Sequence, residues 1–389
     1  MINKDKTTKC FFIILVFVGL LIIPIAGIRE YSLLSQYQLP GEFDQQQAIW
    51  MQWPSEIYQL KDPVNQNMVS IIKAFAPHIR VNLIARSNGE IASIKNQFKT
   101  NGFSGENVNF YLINHKSIWA RDVGPIFIKN GWGRLKVVDF GFDGYSRNKE
   151  PSYIKIESQV AILVAKLLGL PVIRTQLISE GGAIESNGRG VLMTTESVAL
   201  KRNSGKSKEQ VKKEYQRVLG VKKIIWLKKG LAEDDGITSG HINEITRFAA
   251  PNTILLAQVL PNDRYVSRYS QESYLRLEEN FRILKNATDQ DGKPFQIIRV
   301  PMPPGLYQEM ELSGELPVRS YLNYAVTNGA VLMQVYWKPG RPESLRTTEA
   351  KVRSLFQKVF PGREIIGIDA ENVNRWGGGI HCVTQHMPK

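Results

Sequence analysis

The sequence has very little cysteine and histidine, with two cysteines and five histidines in 389 residues. Two cysteines cannot form the disulfide framework of a small secreted scaffold. No paired Cys-x-x-Cys, His-x-Glu or His-Glu-x-x-His pattern is present to bind a metal ion. These absences exclude the disulfide-rich and zinc-finger classes, and we expect no metal at the functional site. Any cysteine or histidine in a polar, glycine-rich context therefore becomes a candidate for chemistry.

Acidic residues are fewer than basic ones, 36 against 50, which gives a net charge of +14. A basic balance is typical of nucleic-acid binding, but the sequence has no RNP-type aromatic motif and no long basic tract, so nucleic acid is not an expected partner. The lysine-rich residues 201–229 are typical of a solvated helix face. Attraction to anionic lipid headgroups is the more economical use of the charge.

The N-terminus carries a long apolar run. Three lysines within the first nine residues precede residues 10–28, a charge-free run of roughly 19 residues. This layout predicts an export signal or signal anchor over residues 1–29, with the body facing outward. Ala26 and Gly27 form a poor cleavage site, which slightly favours a retained anchor; a buried N-terminal core helix is the alternative. We expect a protein that is exported, either anchored in the inner membrane through this segment or periplasmic or extracellular.

Beyond a predicted linker at residues 30–39, residues 40–389 show no further change in composition. Short apolar strands alternate there with amphipathic helical stretches. The pattern predicts strands at residues 48–54, 81–85, 108–113, 126–128, 171–173, 224–227, 295–300 and 364–368. It predicts helices at residues 64–78, 90–100, 152–168, 206–219, 265–286 and 347–359. About five strand–helix–strand units of roughly 60–70 residues indicate a single α/β domain.

The C-terminal residues 376–385 combine three consecutive glycines with Cys382. Because glycine has no Cβ, Gly378 and Gly379 allow another group to approach closely. A lone thiol in that setting is suited to attack a planar electrophile. The alternative is a buried structural cysteine in a glycine-rich turn. His381 would point away from the thiol if this segment were extended, so it is a poor partner for Cys382.

Two polar clusters follow apolar strands, where α/β folds gather their functional residues. In the first, Trp119, Arg121 and Asp122 precede a Gly-Pro turn; Arg121 and Asp122 could instead form a local ion pair. In the second, Glu180 stands before two glycines, and it either points into a cleft or lies on the surface.

A third polar cluster contains His241 and Asn243. On a strand the two side chains would face the same side, because side chains alternate. A structural histidine is the alternative at 241. The Asn-Gly pair at residues 187–188 predicts a hairpin turn.

Taken together, these clusters resemble the agmatine deiminase and bacterial-type peptidylarginine deiminase family. The order and approximate spacing of five motifs hold from about Pro40 to the C-terminus: Trp119-Ala120-Arg121-Asp122-x-Gly124-Pro125, Glu180-Gly181-Gly182, Thr194-Thr195-Glu196, Gly240-His241-Ile242-Asn243, and Gly377-Gly378-Gly379-Ile380-His381-Cys382-x-Thr384-Gln385. The resemblance implies a catalytic domain over residues 40–389 with the pentein fold, an α/β propeller of five ββαβ-like modules, here preceded by an N-terminal apolar helix. It also implies hydrolysis of a guanidinium group to a ureido group with loss of ammonia, without a cofactor.

The resemblance also implies roles for individual residues. Cys382 would attack the guanidinium carbon and form a covalent thiouronium intermediate. His241 would protonate the departing ammonia and then activate water. Asp122 would bind the guanidinium nitrogens, and Glu180 would hold the substrate or His241. Substrate contacts are also expected from Trp119, Gly378, Gly379 and Asn243.

One position departs from the family pattern. The family has Gly-His-x-Asp, and this chain has Asn243 in place of the aspartate. Losing one charge-assisted hydrogen bond costs about 1.5–3 kcal/mol, or about one to two decades in binding or rate. Glu244 would point the other way on a strand unless a bulge re-aimed it. The sequence therefore predicts a weak or retargeted deiminase.

An agmatine-like small guanidine is the leading expected substrate. The alternatives are a peptidylarginine deiminase that acts on protein arginine, and a weakly active or silent pentein that binds a cationic ligand at the membrane surface. A cysteine protease is disfavoured because no oxyanion-hole motif accompanies Cys382. Since a chain of net charge +14 repels cations at long range, steering of a cationic substrate would require a locally acidic mouth.

Overall fold

The structure, a computed structural model, describes residues 36–58, 63–304 and 319–389. These residues form helices and small sheets, which confirms the predicted α/β class. The predicted signal or anchor segment, residues 1–29, and most of the predicted linker lie outside the described residues. Within the described ranges, no helix is both long and apolar enough to cross a membrane.

The described residues contain sixteen strands and ten α-helices. The strands are β1 Gln46–Gln52, β2 Arg80–Ala85, β3 Val108–Leu112, β4 Ile126–Lys129, β5 Leu135–Gly141, β6 Val172–Ile178, β7 Ile184–Ser186, β8 Val191–Thr195, β9 Lys223–Leu227, β10 Thr246–Ala250, β11 Thr253–Gln258, β12 Gln296–Pro301, β13 Ala325–Val326, β14 Ala330–Gln334, β15 Glu364–Ile368 and β16 Gln385–Pro388. The helices are α1 Val64–Phe75, α2 Asn88–Thr100, α3 Ala120–Val123, α4 Pro151–Glu157, α5 Val160–Leu167, α6 Glu196–Arg202, α7 Lys208–Leu219, α8 Arg268–Lys285, α9 Glu343–Val359 and α10 Glu371–Asn374.

The strands form five small sheets that repeat one topology. In four sheets, β4–β6, β7–β9, β10–β12 and β13–β15, the first two strands pair antiparallel and the last two pair parallel. An antiparallel pair can be joined by a tight turn, whereas a parallel pair needs a crossover. Helices supply that crossover each time, so the repeating unit is strand–strand–helix–strand.

The fifth sheet joins the two ends of the described chain. Its order is β16-β1-β2-β3, with β16 antiparallel to β1 and Trp50 opposite Gln385. The pairs β1–β2 and β2–β3 are parallel. Because β16 begins just after Cys382, its pairing with β1 fixes the turn that carries the thiol.

The core lies between these sheets and their helices. Every residue of β8 and of β14 is buried, which is typical of central strands covered on both faces. In α9 the buried residues Leu345, Thr348, Val352 and Phe356 recur at helical spacing and face the sheet.

The lysine-rich region confirms the predicted solvated helix face. In α7 the buried residues are Val211, Tyr215, Val218 and Leu219, while the lysines of the helix are exposed or half-buried. A capping box between Ser207 and Gln210 begins the helix, and Gly220 ends it in the left-handed conformation, φ 65°.

Two local predictions were wrong and one turn was confirmed. Residues 152–168 form two helices rather than one, because the chain breaks between α4 and α5. The segment at His241 is not a strand; Ile242–Glu244 is a short 3-10 helix before β10. The Asn187-Gly188 signal does mark the turn between β7 and β8, which pair antiparallel.

Candidate active site

A cleft of about 860 Å³ contains two of the sequence-predicted catalytic residues, Cys382 and Asp122, in its lining. Trp119 and Gly377 also border it. The charged side chains of the lining are balanced: Glu56, Glu90, Asp122 and Glu150 against Arg86, Lys116, Arg147 and Lys149. In a chain of net charge +14, this cleft is more acidic than the protein as a whole, which favours the approach of a cation.

Cys382 lies in a turn between α10 and β16 and is 6% exposed. Its Sγ accepts hydrogen bonds from Nδ2 of Asn323 at 3.1 Å and Nδ2 of Asn243 at 3.5 Å. Its thiol also contacts Oε1 of Glu244 at 3.8 Å. Burial raises the pKa of Cys382, and the carboxylates of Glu244 and Asp122 raise it further. The resting thiol is therefore neutral, and a cation bound beside it would favour the thiolate.

The glycines before the thiol are required by packing. A Cβ on Gly378 would lie 2.5 Å from the ring of Trp119 and 2.9 Å from Cβ of Cys382. A Cβ on Gly379 would lie 2.5 Å from Oδ1 of Asn323. The glycines thus let the turn pack against Trp119 and Asn323, a role separate from the substrate contact that the sequence predicted for them.

His241 is 1% exposed and lies between two carboxylates. Its Nδ1 is 3.8 Å from Oδ1 of Asp122, and its Nε2 is 3.4 Å from Oε2 of Glu180. Burial acts to lower the pKa of His241, but Asp122 and Glu180 outweigh it and the pKa is raised. The ring therefore holds a proton more tightly than a free histidine, as a proton donor at neutral pH requires.

The backbone around His241 explains two of the sequence motifs. Gly240 has a φ of 101°, and a Cβ there would lie 2.6 Å from the backbone nitrogen of Gly230. Oγ1 of Thr195 donates to the carbonyl of Gly240 at 2.8 Å. The amide of His241 donates to Oδ2 of Asp234 at 2.9 Å, so the peptide group between Gly240 and His241 is hydrogen-bonded through both its carbonyl and its amide.

Asp122 is held at the cleft by neutral donors. Its Oδ2 accepts from the hydroxyl of Tyr145 at 3.0 Å, and its Oδ1 accepts from the amide of Gly182 at 3.1 Å. A Cβ on Gly182 would lie 2.5 Å from Nδ1 of His241, so a glycine is needed there. Arg121 does not pair with Asp122; it pairs with Glu42, and the alternative of a local Arg121–Asp122 ion pair is wrong.

Glu180 is fully buried rather than on the surface. Its Oε1 accepts from Nε of Arg202 at 2.7 Å, while its Oε2 faces His241. Burial acts to raise the pKa of Glu180, but the hydrogen bond from His241 and the charge of Arg202 lower it overall. Glu180 is therefore an ionised partner of His241, and this contact favours its predicted role in holding the histidine.

The amide of Asn243 has a defined orientation. Nε2 of His381 lies 2.8 Å from Oε2 of Glu42, and a carboxylate can only accept, so Nε2 carries the hydrogen. Burial and the charges of Arg121 and Arg247 hold the pKa of His381 well below its usual value. The ring is therefore neutral, and its Nδ1 accepts from Nδ2 of Asn243 at 2.9 Å.

This arrangement leaves the other atom of the Asn243 amide available. Oδ1 of Asn243 is buried and has no hydrogen-bond partner among the described residues. Nδ2, a donor that would be unfavourable beside a cationic ligand, is thus hydrogen-bonded to His381, and Oδ1 remains as an acceptor. Asn243 can supply one neutral hydrogen-bond acceptor beside the thiol.

Sequence reasoning missed several residues that surround the site. Asn323 contacts the thiol, Tyr145 contacts Asp122, and Glu42 contacts His381. These residues stand in no recognisable motif, and only their position in the fold brings them to the site. The prediction that Glu244 points away was wrong, because the 3-10 turn directs it towards Sγ of Cys382.

Glu42, His381 and His386 bring one ligand atom each within 4.8 Å of one another, which is close enough for a metal ion. Arg121 and Arg247 already donate to the two oxygens of Glu42. A metal ion would have to compete with two guanidinium groups for this carboxylate. The cluster fits a buried ion-pair network better than a cation site.

Several known proteins are similar to this chain in sequence and in fold. The profile of the family described as Porphyromonas-type peptidyl-arginine deiminase matches residues 38–388. A Streptomyces coelicolor protein provisionally named agmatine deiminase is 29% identical over 365 residues, which cover 91% of this chain and 99% of that protein.

Two solved structures are similar over nearly their whole length. The agmatine deiminase of Enterococcus faecalis, described as catalysing its reaction, has a TM-score of 0.75 and 25% identity, and the match covers 91% of this chain and 96% of that one. The C. jejuni agmatine deiminase with substrate bound has a TM-score of 0.74 and 26% identity, and the match covers 91% and 97%. Because the family profile matches nearly the whole described chain, this protein belongs to the family of Porphyromonas-type peptidyl-arginine deiminases.

Proposed function

We propose that the protein hydrolyses the guanidinium group of an agmatine-like substrate to a ureido group and ammonia, through a covalent intermediate on Cys382. The observation that carries this proposal is a thiol and a carboxylate, Cys382 and Asp122, that line one cleft. Behind them His241 lies 3.8 Å from Asp122 and 3.4 Å from the second carboxylate, Glu180. Family membership and the names of the relatives support the reaction class. No metal or cofactor is part of the proposal.

Binding begins with the charge and shape of the substrate. A guanidinium group is planar and cationic, and a carboxylate can bind it with two parallel hydrogen bonds. Asp122 provides that carboxylate, since each of its oxygens keeps a second lone pair beside the bond it already accepts. Oδ1 of Asn243 accepts one further N–H, and Trp119 borders the space that the substrate occupies.

Catalysis then proceeds in two halves. The sulfur of Cys382 attacks the guanidinium carbon, and His241 gives a proton to the departing ammonia, which leaves a thiouronium on the sulfur. His241, now neutral, takes a proton from the water that attacks the same carbon. Glu180 keeps the ring of His241 oriented between these two roles.

The substrate cation also serves the nucleophile. Burial and neighbouring carboxylates raise the pKa of the Cys382 thiol, and a guanidinium held by Asp122 opposes those carboxylates. Binding of a cationic substrate therefore favours the thiolate of Cys382, and a neutral ligand does not. This coupling limits reaction with neutral electrophiles.

We further propose that the five sheets are arranged as a pentein-type propeller of five ββαβ-like modules around a pseudo-fivefold axis. The repeated strand–strand–helix–strand topology supports it, as does the pairing of β1 with β16. The cleft that contains Cys382 then lies at one end of the axis, where loops from several modules meet.

Peptidyl arginine is the second candidate substrate. Small-ligand sites have volumes of about 300–1,000 Å³, and the cleft of about 860 Å³ has room for more than the short chain of agmatine. A silent binding protein is the third candidate, because Asn243 lacks the charge of the family aspartate. Product analysis separates the three.

We also propose that residues 1–29 act as an export signal or membrane anchor and that residues 40–389 form the catalytic domain. The basic start and the apolar run support an exported protein that faces the periplasm or the exterior. Such a location suits an extracytoplasmic guanidine compound or peptidyl arginine.

Incubation of the purified full-length protein with agmatine, free arginine and an arginine peptide is expected to give a ureido product from one of them. Cys382→Ala is expected to lower the rate by at least about a thousandfold, because it removes the nucleophile. Cys10→Ala, which lies outside the catalytic domain, serves as the matched control and keeps the wild-type rate. A guanidinium ligand that binds without any product from the three substrates would contradict turnover and favour the silent binding protein.

Fractionation of cells that express the full chain is expected to place it in the membrane or outside the cytoplasm, while residues 30–389 alone stay in the cytosol. The reason is that the apolar run and its lysines are present only in the full chain. Immunoblots of the separated fractions measure this. Recovery of the full chain in the cytosolic fraction would contradict the export proposal.

Asn243→Asp is expected to raise kcat/KM for the preferred guanidine about tenfold. The added charge gains about 1.5–3 kcal/mol of charge-assisted hydrogen bonding with the substrate. Loss of the hydrogen bond from Nδ2 of Asn243 to His381 costs only about 0.5–1.5 kcal/mol. Steady-state kinetics with the wild type alongside measure the ratio. A kcat/KM that is unchanged or lower would show that Asn243 does not weaken this site.

Glu180→Gln is expected to move the alkaline limb of the kcat–pH profile to lower pH. Glu180 helps to raise the pKa of His241, so loss of its charge lowers that pKa, and the protonated ring that releases ammonia disappears at a lower pH. Glu349→Gln is the control, because Glu349 accepts from the amides of Tyr336 and Trp337 and, among the described residues, makes no hydrogen bond or ion pair with His241 or Glu180. An alkaline limb that stays in place or moves to higher pH would remove His241 from the proposed acid role.

A further inference from the structure

Glu244 is a buried carboxyl group in contact with the reacting sulfur. The 3-10 helix Ile242–Glu244 directs the side chain inward, and the residue is 3% exposed. The thiol of Cys382 donates to its Oε1 across 3.8 Å. Nδ2 of Asn323 contacts both groups, since it donates to Oε1 of Glu244 and lies 3.1 Å from Sγ.

Glu244 differs from three nearby glutamates that pair with arginines. Glu180 pairs with Arg202, and Glu42 and Glu185 pair with Arg247. Glu244 has no ion pair with a described lysine or arginine, and its Oε2 has no hydrogen-bond partner among the described residues. A buried acceptor left without a partner costs about 1–3 kcal/mol, so its presence beside the nucleophile calls for a functional reason.

We propose that Glu244 is the base that takes the proton of the Cys382 thiol as the sulfur attacks the bound guanidinium. This role rests on the proposed deiminase function and assigns its thiol-activating group. It also fits the exchange in the sequence, because a neutral Asn243 leaves Glu244 as the carboxyl group in contact with the thiol.

The step balances in atoms and charge. The thiol proton passes to the carboxylate of Glu244, the sulfur electron pair forms the bond to carbon, and the π electrons of the C=N bond move to nitrogen. A carboxylate, a thiol and a guanidinium thus become a carboxylic acid and a neutral tetrahedral adduct. When the carbon–sulfur bond breaks after water has attacked, the thiolate takes the proton back from Glu244, and the remaining hydroxyl proton of that water goes to solvent.

The surroundings of Glu244 couple this step to a cation. Burial raises the pKa of Glu244, and the charges of Asp234 and Glu233 raise it further, while Asn323 and Cys382 lower it. The charge of Glu244 in turn raises the pKa of Tyr336. Without substrate, burial therefore favours the neutral forms of Glu244 and Cys382, and a bound guanidinium favours the loss of one proton from the pair.

The test compares alkylation of Cys382 by 2-chloroacetamidine, a cation, in the full-length wild type, Glu244→Gln and the control Glu349→Gln, from about pH 5 to about pH 10. We expect Glu244→Gln to react at least about tenfold more slowly near neutral pH and to approach the wild-type rate at high pH, where hydroxide deprotonates the thiol. Glu349→Gln keeps the wild-type profile. The uncharged 2-chloroacetamide is expected to show a smaller difference between the wild type and Glu244→Gln, because it does not ionise the pair.

A rate for Glu244→Gln that equals the wild type at every pH, or is lower by the same factor at every pH, would overturn the role of Glu244. A wild type that is not alkylated at any pH would overturn it as well. If thermal unfolding shows that Glu244→Gln does not fold, Glu244→Asp replaces it; a slower reaction near neutral pH is expected, and a wild-type profile overturns the proposal. Alkylation needs no turnover, so this result is independent of the ureido-product assay that tests the deiminase function.

Discussion

The antiparallel pairing of the first described strand with the last is the contact on which the site depends. Because Trp50 lies opposite Gln385, the turn that carries Cys382 is fixed against elements from the start of the domain. Glu42, which precedes β1, reaches the ring of His381. The ring in turn sets the amide of Asn243, and that amide contacts the thiol. A short chain of hydrogen bonds therefore links this strand pairing to the thiol of Cys382.

The second constraint is the cost of burying charge. The carboxyl groups of Asp122 and Glu244 lie near the thiol, and that of Glu180 contacts His241. Positive charge comes from Arg202 and from His241, whose pKa is raised. Burial disfavours any unpaired charge in this region. In the proposed function a planar cation would complete the balance, bind to Asp122, which is not paired with an arginine, and make ionisation of the thiol less costly. Substrate recognition and activation of the nucleophile are then one electrostatic event.

Local signals in the sequence predicted much of the fold. Alternating apolar patterns located most of the helices and strands, because burial of one helix face or of a central strand requires those patterns. They failed at the segment after Gly240, where a φ of 101° begins a turn that no hydrophobic alternation reveals. For that reason the strand prediction gave Glu244 the wrong direction. The prediction of one continuous helix over residues 152–168 was wrong for a similar reason, because the break between α4 and α5 contains no glycine or proline.

The candidate site could be predicted only in part, for a related reason. Motifs reveal Cys382, His241 and Glu180 because each stands close in sequence to glycines whose packing the structure explains, and Asp122 because it lies in the motif that ends in Gly124-Pro125. Glu42 and Asn323 act through contacts between distant parts of the chain, such as the one between Glu42 and His381, 339 residues apart. Only the folded arrangement can reveal such residues. The roles of all these side chains, and the function of residues 1–29, stay predictions.

The most direct test of the account is mass analysis of the protein quenched during turnover of its preferred guanidine. Covalent catalysis predicts an adduct equal to the substrate minus ammonia on the peptide that contains Cys382. The adduct should be absent in Cys382→Ala. Rapid product formation by the wild type with no adduct at any quench time, together with an active Cys382→Ala, would contradict the central claim that the sulfur of Cys382 attacks the guanidinium carbon.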